Sequence, residues 1–315
     1  MHGIIAGLKG FYGDLRVMNI YTNYLWEGEE SYHRAPPVSW QKVCKEKKYR
    51  GVGIRDCQVW NLAVIGKYTW WVSSKADYLW ICWVNHVYIK KREWFDYQPT
   101  AQSSWTWRKI CQVKERLKMG YVNGSWCTNN RIYTAEEGYK WLMQDEVKVN
   151  WYSVVWNRFN IPKHCVIGWL FALRRLLTKD ILLQFGVISD GVYELCCAAT
   201  EINEHLIFGC SYSQKCIKLL GDWLGCQIPW QGTLEWCRAL RMKSLMQKQV
   251  IMAAIMALIY EIWMIRNRCR VELVVSLPCV VVKQVQAQIR CRANCKIWQF
   301  HHSINVAWCQ KVGIM

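Results

Sequence analysis

No two aspartates stand side by side in this chain, so the paired-carboxylate turn with which a polymerase holds two metal ions is missing. Also absent are a G-x-x-x-x-G-K-[ST] phosphate loop, a G-x-S-x-G nucleophile elbow and an H-E-x-x-H helix. Their absence removes the usual sequence grounds for a P-loop NTPase, an α/β-hydrolase or a zinc protease. Acidic residues are scarce, 23 against 41 lysines and arginines, for a formal net charge of +18. No secretory leader is visible, because the apolar IIAGL near the N-terminus is too short for an h-region. The 17 cysteines are odd in number and irregularly spaced. Free thiols in a reducing intracellular compartment, nucleus or cytoplasm, are therefore expected rather than a disulfide framework. No apolar run reaches the roughly 20 residues of a membrane-spanning helix. The nearest, VIMAAIMALIYEIWM at 250–264, contains Glu261 and reads as a buried core helix, with no membrane partner expected. No internal repeat is present.

What is present is a folded-protein balance. The 315 residues are 52% hydrophobic and 20% charged, with 21 tryptophans that read first as core and helix-packing residues. The pattern is mainly α. Apolar residues fall at helical spacing in WNLAVIGKYTWW (60–71), Tyr78 to Tyr88 and Trp105 to Met119. Met1 to Arg34 reads as an irregular lead-in and Gly120 to Asn130 as a loop or hairpin. Thr134 and Glu137 form a capping box. Pro162 disfavours helix at Ile161. Lys163 to Leu177 reads as an apolar helix ending in Arg174 and Arg175, which suit a helix C-terminus. Thr178 is expected to cap the next helix and Gly186 to end it. Residues 271–282 read either as a strand broken by Pro278 or as a helix–loop. The tail from Gln284 is basic and helical.

The strongest candidate site is ELCCAATEINEHLIFGC, which offers Cys196, Cys197, His205 and Cys210. Thiolate and imidazole are the donors Zn²⁺ prefers, and a metal would replace the core that so short a segment lacks. A weaker cluster is Cys291, Cys295, His301, His302 and Cys309, where RCRANCKIWQF reads more readily as an ordinary basic helix than as a metal site. No catalytic residues stand out. His164 and Cys165 are neighbours in sequence, which does not set a Cys–His pair face to face, and Gly51 and Gly53 read as a turn. Basic residues interleaved with aromatics recur in KKREW (90–94), WTWRK (105–109) and RNRCR (266–270). Such surfaces contact phosphates and stack bases, although each is equally a solvated helix face with a buried tryptophan. The charge excess favours polyanions, so RNA or DNA is the expected partner and no small-molecule substrate is expected.

The run WNRFNIPKHCVIGWLFALRRLLTKDILLQFGV (156–187), the Cys pair 196–197 and EHLIFGCSYS (204–213) closely resemble the zinc-binding segment of plant LINE-type reverse transcriptases. Residues 23–57 look like the post-polymerase stretch of the same proteins, and LIYEIWMIRNRC (258–269) resembles the I-W-x-x-R-N helix that follows. The resemblance implies a connection region at 1–100, a zinc-binding domain at 131–222 and a helical region at 223–315. It also implies an irregular helical fold with a small zinc-knuckle-like segment, lying C-terminal to a polymerase domain. It places Cys196 on the second knuckle cysteine, His205 on the histidine and Cys210 on the last cysteine. Tyr193 stands at the first cysteine and Cys197 where glycine is usual, which makes Cys197 a candidate substitute ligand for Zn²⁺. Glu46 and Arg50 stand where proline and glycine are expected. The function implied is non-catalytic zinc and nucleic-acid binding. The alternatives are a reverse transcriptase or ribonuclease H label carried over from the family, and a degenerate remnant.

Overall fold

A computed structural model describes residues 15–26, 28, 35–123, 132–143, 147–229, 234, 240, 242, 244–296 and 303–314. The chain divides into two compact units, Met1–Val147 and Lys148–Met315. Among the described residues there is no β-strand, only an isolated antiparallel bridge between Val192 and Thr200. Every described cysteine is a free thiol.

The first unit contains α1 (Leu15–Trp26), α2 (Trp40–Val43), α3 (Cys57–Ser73), α4 (Leu79–Val84), α5 (Trp105–Asn123) and α6 (Ala135–Met143). α1 replaces the irregular lead-in expected there, and residues 1–14 lie outside the described residues. Its sequence, LRVMNIYTNYLW, has no glycine or proline to stop a helix, and Tyr21 stacks on Trp40 with ring centroids 5.8 Å apart. α5 continues to Asn123, so Gly120 to Asn123 are helical where the loop or hairpin was expected; residues 124–130 lie outside the described residues. α3 opens on Asp56, whose Oδ1 accepts from the Gln58 and Val59 amides at 2.9 and 3.1 Å. α6 opens on the expected box, with the Glu137 amide donating to Thr134 Oγ1 at 3.2 Å.

The α3–α6 pairing is close because small residues meet the Tyr133 phenol. A β-carbon at Gly66 or Gly138 would collide with that hydroxyl, which donates to Ala63 O at 2.7 Å. Trp94 and Trp107 are core residues, 6% and 4% exposed, so they are not available to stack on bases. From α5 the wholly buried Lys114 donates to the carbonyls of Trp94 (3.3 Å) and Tyr97 (2.5 Å) and pairs with Glu115 at 3.0 Å.

The second unit contains α7 (Tyr152–Val155), α8 (Pro162–Ala172), α9 (Lys179–Gln184), α10 (Ser211–Leu224), α11 (Leu245–Glu272), α12 (Pro278–Asn294) and α13 (Ser303–Val312). α11 is its axis, with α7, α8, α10 and α12 packed around it. Residues 250–259 are buried on every face, the mark of a helix enclosed by its own protein. By length and composition α11 is apolar enough to cross a membrane, but 78% of its apolar window is buried within the protein. The ambiguous 271–282 stretch is helix–loop–helix: α11 ends at Glu272, residues 273–277 are irregular, and Pro278 takes the first position of α12.

Two local expectations change around α8 and α9. α8 ends at Ala172, before the expected Leu177. Arg174 adopts a left-handed φ of 55°, while the Arg175 amide donates to Leu170 O at 2.8 Å and the Arg174 amide to Phe171 O at 2.9 Å. This is a Schellman stop, so both arginines lie beyond the helix, and Arg174 pairs with Glu204 at 2.6 Å. Thr178 precedes α9, but its hydroxyl donates to Leu176 O. The first amide of α9, Lys179 N, is instead bound by the Glu201 carboxylate at 3.1 Å. Gly186, with φ +66°, ends α9 as expected.

Candidate metal centre

After α9, residues 186–200 bury only Tyr193 and are organised by polar contacts. Residues 191–201 fold back on themselves: Tyr193 N donates to Ala199 O and Glu201 N to Gly191 O, both at 2.9 Å. At the tip of this loop the Cys196 and Cys197 amides both donate to Tyr193 O, at 3.3 and 2.8 Å. The chain then enters a π-turn at His205–Gly209, closed by the Cys210 amide donating to His205 O at 2.8 Å. That wider turn brings Cys210, the residue before α10, back beside His205. Gly209 is needed here, because a β-carbon at that position would lie 2.7 Å from His205 Nδ1. The ring lies over the Gly209 backbone and directs its other nitrogen, Nε2, to Cys196 Sγ at 3.3 Å.

Cys196, His205 and Cys210 thus converge, with their donor atoms within 4.8 Å of one another. Around a tetrahedral zinc with Zn–S of about 2.3 Å and Zn–N of about 2.0 Å, donor atoms are separated by roughly 3.5–3.8 Å. The three residues therefore fit that ion after small side-chain adjustments. Two thiols and an imidazole also suit zinc, and other thiophilic ions, rather than magnesium or calcium. Cys210 is buried, while Cys196 and His205 are half-buried. Burial pushes the Cys210 thiol above its ordinary pKa, and its neighbour Cys196 adds to this. Burial lowers the His205 pKa, with the nearby Glu201 carboxylate opposing, which favours the neutral imidazole that a metal requires.

Cys197 does not join this group. It is exposed, it occupies the left-handed region at φ 51°, and its thiol donates to Glu194 O at 3.3 Å. Tyr193 is wholly buried and packs edge-on against the His205 ring, with centroids 5.9 Å apart. Its hydroxyl has no hydrogen-bond partner, and burial, with Cys210 and Glu201 nearby, drives its pKa well above the ordinary phenol value. In the weaker cluster, Cys291 and Cys295 are exposed and Cys309 is half-buried; His301 and His302 lie outside the described residues. His164 and Cys165 are both buried in α8, and both ring nitrogens of His164 lack partners.

Sequence reasoning missed the group that holds this loop in place. Glu201 is fully buried, and its Oε1 accepts from Arg266 of α11 at 2.9 Å (Nε) and 2.6 Å (Nη2) as well as from the Lys179 amide. Arg266 also donates to Leu177 O at 3.1 Å. This ion pair ties the central helix to the start of α9 and to the base of the cysteine loop. Its arginine lies within RNRCR but is 3% exposed, which removes it from any phosphate-contacting surface. The available sequence signal was Glu201, one of two glutamates between the Cys pair and His205. Around it, Lys179 pairs with Asp190 and Glu194 at 3.1 and 2.9 Å.

Residues 133–216 match the family described as zinc-binding in reverse transcriptase. The match covers about a quarter of the chain and includes all three converging ligands. With the relatives that follow, it supports a reverse-transcriptase zinc-binding domain over this segment. The chain is 29% identical over 99 residues to an Arabidopsis thaliana protein named "Putative ribonuclease H protein", covering 30% of this chain and 16% of that protein. It is 23% identical over 131 residues to an uncharacterized mitochondrial protein of Arabidopsis thaliana, covering 41% of this chain and 83% of the other. No solved structure matches.

Proposed function

We propose that this chain is a non-catalytic, zinc-binding and nucleic-acid-binding module derived from a LINE-type retrotransposon reverse transcriptase. The observation that carries the reading is the convergence of Cys196, His205 and Cys210 inside the family-matched segment. These three residues would hold the ion. Its part is structural, joining the 191–201 loop, whose one buried apolar side chain is Tyr193, to the start of α10. The net charge of +18 supports RNA or DNA as the partner. Arg174 and Lys179, close to the metal group, are already paired with acids. The basic surface also includes the exposed Lys47, Arg50 and Arg55 of the first unit. The intracellular setting is part of the same proposal.

Two measurements test it: metal content after purification, and binding of single-stranded RNA and DNA oligonucleotides across a salt series. Bound zinc and a log K that falls linearly with log salt are the expected results. No zinc, together with affinity indifferent to salt, defeats the proposal. A second reading is an active enzyme, a ribonuclease H by the name of the first relative or a polymerase by the family description. Primer extension and RNA-cleavage assays distinguish the two, and the module reading predicts background activity in both.

A further inference from the structure

Among the described residues the converging donor set stops at three. The nearby carboxylates of Glu194, Glu201 and Glu204 are paired with Lys179, Arg266 and Arg174, and the two other side chains at the knuckle positions, Cys197 and Tyr193, stand outside the donor set. The Cys197 thiol is turned out to Glu194 O at the exposed tip of the loop. The Tyr193 ring lies edge-on to His205 inside the core, where the residue is fully buried. The two loop-side ligands, Cys196 and His205, are half-exposed, and Ala198 to Thr200 beside them are exposed. Solvent therefore reaches the centre from the loop side. A closed structural zinc site takes four protein donors, whereas three protein donors leave a position for water or a small ligand.

We infer that this centre, resting on the metal-binding reading above, holds its ion through Cys196, His205 and Cys210 alone. The fourth coordination position is open to water and to small donors that displace it, such as an imidazole or a simple thiol. The consequence is a metal that exchanges more readily than one in a closed four-donor knuckle and that takes exogenous ligands without losing its own. No covalent chemistry is implied.

The test is optical titration of the full chain with Co²⁺, followed by imidazole. Co²⁺ is expected to produce a thiolate-to-cobalt charge-transfer band at one ion per chain. Imidazole is then expected to shift the visible ligand-field bands along a saturable curve while the charge-transfer band persists. Tyr193→Phe removes only an unpartnered hydroxyl, and it is expected to leave both spectra unchanged. A cobalt complex whose ligand-field bands ignore imidazole overturns the inference, because the shell is then closed by a fourth protein donor. A spectrum altered by Tyr193→Phe overturns it as well, by making the phenol that donor. Absence of any thiolate band refutes the metal centre itself, and the open position with it.

Discussion

Replacing Arg266 by methionine is the sharpest test of how the loop is held. The side chains of Arg266 and Glu201 are 4% and 0% exposed. The substitution leaves the Glu201 carboxylate buried without its counter-ion, with the uncharged Lys179 amide still donating to it. Breaking a buried pair in this way costs about 3–5 kcal/mol, a large part of the about 5–15 kcal/mol that holds a typical domain. The double variant Arg266→Met/Glu201→Gln removes the charge as well. Its glutamine oxygen still accepts from Lys179 N, so it is expected to recover stability to within about 1–2 kcal/mol of the parent. Urea unfolding followed by tryptophan fluorescence and circular dichroism measures both. The reasoning is refuted if the single variant loses under about 1 kcal/mol, or if the double variant is no more stable than the single one.

Three further outcomes are expected. Gly209→Ala forces the His205 ring off its present position, since the new carbon would sit 2.7 Å from Nδ1; zinc affinity, read by competition with a chromophoric chelator, should fall about ten- to hundred-fold. Cys197→Gly relieves a left-handed residue at φ 51° and should stabilise the protein by up to about 1 kcal/mol in a urea melt, with zinc stoichiometry unchanged. Burial and the neighbouring Lys163 lower the His164 pKa from 6.5 to about 4, with its ring packed on Tyr260. Below pH 6.5 the unfolded chain takes up a proton that folded His164 refuses, so stability is full above that pH and declines as pH falls toward 4, by about 3 kcal/mol in total. In His164→Phe that part of the pH dependence should disappear from melts recorded between pH 7 and 4.

Local physics made much of the fold readable from sequence. The Thr134–Glu137 box, the non-helical Ile161 before Pro162, the stop at Gly186 and the buried character of 250–264 all depend on residues a few positions apart, and all are found. The departures from the family pattern also acquire a physical meaning. Arg50 and Cys197, which stand where the resemblance has glycine, both have positive φ, 72° and 51°, in the region where glycine is unstrained. Glu46 has a φ of −60°, which proline would also adopt. What could not be read were contacts made across long separations. Glu201 serves as the cap of α9 in place of Thr178 because Arg266, 65 residues further on, fixes its carboxylate. The ring position of His205 depends on a π-turn that leaves no hydrophobic period in the sequence. The early end of α8 is set by a left-handed arginine, a residue type with no preference for that conformation. The three site residues were legible as types and spacing, but that Cys197 turns away from them was not.

The metal centre is tested most directly by the zinc content of the purified chain after dialysis against metal-free buffer, beside that of Cys210→Ser. About one zinc per parent chain, lost in the variant, is the predicted result. A parent chain without zinc, or zinc retained undiminished in Cys210→Ser, contradicts it.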